Sequence, residues 1–164
     1  MAISKVGGSA SDNWELISSV TPTAATATVN FTGLTPYRKL MVVANGVTLA
    51  GADELDLRIN NDSGNNYSYS YWSDAPDIRQ QSFTSQITWT FTGITQTGVI
   101  VLSSCDNTGV KFVETAWGGL TSSNTATQFI ERGIYLASAI VTQINILTGS
   151  TFAGAGTIAL YGVK

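Results

Sequence analysis

At 164 residues the chain can bury one substantial core and is sized for a single domain. Charged residues make up only 12% of it and hydrophobic residues 43%, with 8 basic and 11 acidic side chains giving a net charge of −3. That balance lacks the basic stripe that nucleic acid or an anionic membrane would require. Histidine is absent, which excludes His-based triads, Cys-His dyads and the usual zinc sites.

Residues 1–12 are small and polar, with Gly7 and Gly8 adjacent, and read as a flexible N-terminal arm ahead of one β-domain over residues 13–164. They carry no apolar signal-peptide core. The longest nearly apolar run, residues 133–141, is too short to cross a bilayer. The single cysteine, Cys105, cannot form an intrachain disulfide, so the secreted, disulfide-stapled class is excluded and synthesis in a cytoplasm is expected.

The first strand is expected at residues 14–19, with Trp14 and Leu16 opposing Glu15 and Ile17. After Pro22, Ala25, Ala27, Val29 and Phe31 share one face, and a turn follows at residues 32–36. Residues 39–47 are almost continuously apolar, the pattern of a strand covered on both faces. Leu55, Leu57 and Ile59 alternate with Asp56 and Arg58 as a half-buried strand. Residues 60–66 read as a hairpin loop rich in residues that accept positive φ. Tyr67, Tyr69 and Tyr71 then line one face of a strand that ends at Trp72. Residues 73–81 form a polar excursion around Pro76.

Phe83, Ser85, Ile87, Trp89 and Phe91 predict one long strand, broken by Gly93. Further strands are expected at residues 98–104, 110–117 and 127–136, with a tight turn at 106–109 and a loop from Gly118 to Asn124. Residues 144–164 alternate around a glycine-rich turn and read as a closing β-hairpin. With no helical stripe longer than two turns, about ten strands predict an all-β fold: an antiparallel β-sandwich, jelly-roll-like.

Few groups suggest chemistry. Cys105 has no neighbouring base in the sequence and reads as a small hydrophobe. Glu114 and Glu131 lie in strands and could face each other as a carboxylate pair, but pairing with Lys111 or Arg132, or exposure to solvent, is the better reading. Asp53, Glu54, Asp56 and Asp62 are oxygen donors of the calcium type, yet the 60–66 loop lacks the acidic spacing of a calcium loop. No cofactor site is predicted. Tyr67, Tyr69, Tyr71 and Trp72 form the one suggestive group: a glycan-stacking platform, or a core or subunit contact. The latter is favoured, since tyrosine brings large area at low entropy cost to interfaces.

Several stretches together resemble a known family. They are Trp14-Glu15-Leu16-Ile17, residues 29–34 with Tyr37 and Leu40, residues 55–67, and Phe152 with residues 156–164. The chain resembles small tailed-bacteriophage virion proteins: capsid decoration (cement) and head-fibre proteins, and the tip domains of tail fibres. The resemblance implies a trimeric β-sandwich on the surface of a virion, made in the host cytoplasm, with no catalytic residues. The short arm favours a shell-stabilising homotrimer bound to the major capsid protein or another virion protein. A tail-fibre or tail-tip domain recognising host surface glycans is the alternative.

Overall fold

Leu40, Val42, Ala44, Val47 and Leu49 are buried along a single strand whose intervening residues are not. That two-residue period gives each strand an inward face and an outward face. The computed structural model describes residues 13–34, 37–73, 78–88, 93–120 and 125–164, excepting the side chains of 71–73 and 78–82. The proposed arm lies outside the described residues.

The described residues form twelve strands and no helix: β1 (Glu15–Val20), β2 (Thr28–Thr32), β3 (Lys39–Asp53), β4 (Asp56–Ile59), β5 (Tyr67–Ser73), β6 (Ile78–Thr84), β7 (Ile87–Thr88), β8 (Gly93–Ser103), β9 (Lys111–Leu120), β10 (Ala126–Tyr135), β11 (Gln143–Leu147) and β12 (Thr157–Val163). They build two antiparallel sheets, so the fold is all-β and sandwich-like. The eight-stranded sheet runs β1-β12-β3-β8-β9-β10-β5-β6, and the four-stranded sheet runs β2-β11-β4-β7. Only β5–β6, β8–β9 and β9–β10 are chain neighbours that pair; every other connection changes sheet.

The core is the shared inner face. The small sheet contributes Val29, Phe31, Leu57, Ile59, Ile144 and Ile146, and the large sheet Leu40, Val42, Ile100, Leu102, Val113, Ile158 and Leu160. Each fully buried aliphatic side chain of this kind stabilises by about 1.5–3 kcal/mol relative to exposure.

Four expectations are corrected here. Residues 144–164 are not a hairpin: β11 pairs with β2 and β4, whereas β12 pairs with β1 and β3 in the other sheet. The link between them crosses the sandwich. It is seated by buried Phe152, which bridges to Leu49 and exchanges backbone hydrogen bonds with Ala25 and Thr26. Positive φ at Gly154 (83°) and Gly156 (81°) allows the crossing.

The expected 83–91 strand is interrupted at Ser85 and Gln86. Phe83, with φ 59°, is exposed next to the end of β6, Ile87 begins β7 buried in the other sheet, and Trp89 and Phe91 lie outside the described residues. The 60–66 loop also crosses between sheets, and its Asn60 and Asn61 do adopt positive φ, 56° each. Gly118 and Gly119 extend β9 instead of starting a loop.

Two glycines test the packing. A Cβ on Gly98 would lie 1.9 Å from Cε3 of Trp117 and 2.6 Å from the Ala116 carbonyl oxygen, whereas one on Gly118 would meet Thr127 O at 3.6 Å. Chemical denaturation should show Gly98→Ala destabilised by about 1–3 kcal/mol or more and Gly118→Ala nearly unchanged.

Candidate functional site

The tyrosine strand turns its face inward. Tyr67 is fully buried, its ring centroid 4.9 Å from that of Tyr135. Its hydroxyl accepts from Ile59 N at 3.0 Å and lies 3.0 Å from the Asp62 carbonyl, to which it donates. β5 is thereby tied to the end of β4, across the two sheets. Tyr67 is therefore a core residue with no surface to offer a glycan or a subunit. Half-buried Tyr69 reaches the Thr88 side chain on β7. Tyr71 and Trp72 pair through their backbones with Glu131 and Ile130, and their side chains lie outside the described residues.

The acidic groups separate by position. Asp62 organises its own turn: Oδ1 accepts from Gly64 N, and Oδ2 accepts from Asn66 Nδ2 at 2.8 Å and the Tyr135 hydroxyl at 2.9 Å. Burial opposes its charge, yet those bonds hold its carboxyl below the usual value. Asp53 accepts from Glu54 N and from the Thr148 hydroxyl. Among the described residues no three carboxylate or thiol groups converge as a metal site.

Glu114 and Glu131 do not face each other. In the β9–β10 register Glu114 lies opposite Arg132, and Glu131 opposite Thr115, on the other face of the sheet. Glu114 makes an exposed 3.6 Å ion pair with Arg132. Lys111 is buried, and its ammonium donates to the carbonyls of Asn107 and Gly109, not to a carboxylate. Cys105 is fully buried and burial pushes its thiol up to about 12, so it is no nucleophile.

Glu131 is the exception. It is 5% exposed, and its Oε1 has no hydrogen-bond partner. Burial pushes its carboxyl up to about 9, with the charges of Asp56 and Glu54 adding to the effect. Asp56 is buried too and pushed up to about 6, although Thr88 Oγ1 donates to its Oδ1 at 2.7 Å. The fold thus gathers Glu131, Asp56, Thr88 and Tyr69 where β10 and β5 meet β4 and β7. One sequence signal pointed there: Phe129, Glu131, Gly133 and Tyr135 share a strand face, and an acidic residue stands out among them.

A second candidate is a surface. The outward face of the eight-stranded sheet carries Leu16, Tyr161, Met41, Val101, Glu114 and Arg132 in one cross-strand row. The next row is Ser19, Ala159, Val43, Val99, Ala116 and Ile130. Ile130 is 60% exposed, Leu16 57% and Phe112 41%. In the middle of the small sheet's outward side Asn30, Asn145 and Arg58 stand in register, Asn145 being buried and donating to Asn30 at 2.6 Å.

No family model matches the chain, and no curated protein matches it.

Two measurements check these assignments. Tyr67→Phe strips a buried partner from Ile59 N and should cost about 1–3 kcal/mol in urea unfolding. Glu114→Ala, which breaks only an exposed ion pair, should cost no more than about 1 kcal/mol.

Proposed function

We propose that the chain is a non-enzymatic structural protein of a tailed-bacteriophage virion, of capsid-decoration or head-fibre type. It acts as a homotrimer that binds the major capsid protein and stabilises the shell. The contrast between the two outward faces carries this reading. The outward side of the small sheet centres on Asn30, Asn145 and Arg58, with Asn145 buried and bonded to Asn30, while the outward side of the other carries two rows of mostly aliphatic and aromatic side chains that also hold Ser19 and the Glu114–Arg132 pair.

Nine apolar positions at about 4.8 Å by 6.8 Å each give an apolar footprint on the order of 300 Å², comparable to the largest apolar patch of a typical soluble protein, which is often functional. Contact among copies hides that surface, and many copies bridging shell subunits stabilise the shell by mass action. The virion assignment itself rests on the sequence resemblance.

The domain is read further as a jelly roll carrying two inserted hairpins. The segment β1-β12-β3-β8 of the large sheet and the small sheet β2-β11-β4-β7 each alternate early and late strands, as two interlocked Greek keys would. β5–β6 and β9–β10 extend one sheet beyond that frame. Jelly rolls serve both viral capsids and lectins, so the fold alone does not choose between them. The inward turn of Tyr67 and Tyr69 removes half of the expected glycan platform and favours the structural role.

Val101→Glu places an unpaired charge in the centre of the apolar rows. Light scattering after size exclusion should show it as a monomer at concentrations where the native chain is a trimer, association being weakened about a hundredfold or more. Immunogold labelling of virions should place the chain on the head, and particles lacking it should lose heat resistance. Labelling confined to the tail would favour receptor binding instead.

A further inference from the structure

The carboxyl of Glu131 sits in the sandwich interior with one oxygen unbonded, and nothing in the proposed structural role uses it. Thr115 lies directly opposite on β9, and its buried hydroxyl is likewise without a hydrogen-bond partner. The acids within electrostatic reach of Glu131 are Asp56 on β4 and Glu54 just before it. From β5, Tyr69 reaches toward Thr88, and from β7, Thr88 spends its proton on Asp56. Arg58, the cation on β4, is engaged by Gln86 Oε1 at 2.8 Å and the Ser85 carbonyl. The ammonium of Lys111 is held by turn carbonyls.

We propose that Glu131 is a proton-gated latch: as a neutral acid it lets β10 and β5 close on β4 and β7, and as a carboxylate it drives that end of the sandwich open. The proton leaves to water, and no other reactant is needed. Closure there is tight. A Cβ on Gly133 would stand 3.2 Å from Cδ1 of Ile87 and 3.0 Å from Cβ of Tyr69. A charge created two residues away thus has little room to draw in water without moving a strand.

The sign follows from linkage. The carboxyl is raised in the folded state, so the fold retains a proton that the unfolded chain releases above the ordinary carboxyl range. Its stabilising effect is fully present below that range and is lost as pH rises toward about 9, where the folded group itself ionises. Asp56 adds the same trend up to about pH 6.

The test is thermal unfolding of the full chain at fixed concentration from pH 5 to 9, for the native protein, Glu131→Gln and Asp56→Asn. The native Tm should fall by about 3–5 °C per pH unit above pH 6. Glu131→Gln should be nearly flat there and more stable than the native chain at pH 8.5. Asp56→Asn should bring the ionisation of Glu131 to lower pH. Native-like slopes in both variants would overturn the latch. Should Glu131→Gln fail to fold, carboxyl carbon NMR of the native chain decides: a neutral-acid shift for Glu131 at pH 7 supports the proposal, and a carboxylate shift there overturns it.

Discussion

A β-sheet has two faces, and hiding one does nothing for the other. That constraint organises this molecule. The inner faces of the two sheets solve it for each other through a core of Leu, Ile, Val and Phe. The outer side of the small sheet carries amides and a guanidinium that are bonded within the chain: Asn145 to Asn30, and Arg58 to Gln86 and the Ser85 carbonyl. The outer face of the large sheet is more apolar among the described residues, its cross-strand rows running through Tyr161, Met41, Val43, Val99 and Val101. The whole sequence carries little charge, 12%, about half the usual globular share.

The closure between sheets is uneven. Along β12, β3 and the later half of β8 it is apolar, with Leu160, Val42 and Ile100 all fully buried. Where β5 and β10 meet β4 and β7 it is polar. Tyr67 clasps the end of β4, Tyr135 donates to Asp62, and Glu131 is buried within reach of the charge of Asp56. Buried polar groups fix geometry when every atom is satisfied and weaken it when one is not. The tyrosine clasp belongs to the first kind and the Glu131 oxygen to the second. The two strand pairs that lengthen the large sheet therefore end against its least apolar contact.

Much of the fold was legible because alternation reports which way a residue faces. Val29 and Phe31, or Leu55, Leu57 and Ile59, face inward as their spacing requires. Alternation does not report which strand is the neighbour. The chain's last two strands looked like a hairpin because they are close in sequence, yet each finds partners far away, in different sheets. Nor does it say which face is the inner one. Tyr67 and Tyr69 alternate with Ser68 and Ser70 equally well for a platform or a core, and the reach of the Tyr67 hydroxyl to Ile59 decides it. That Asp56 lies near Glu131 was not legible, beyond the odd acid on the Glu131 strand face, because the two come from strands brought together only by sheet crossing. The expected Glu114–Glu131 pairing failed on parity: one residue faces out and the other in.

The central claim is that the apolar outer face of the eight-stranded sheet is covered by copies of the same chain. Sedimentation velocity of the native protein diluted through the micromolar range tests it most directly. The account predicts one species of three times the 17.3 kDa chain mass. A single species at the mass of one chain throughout that range would contradict it.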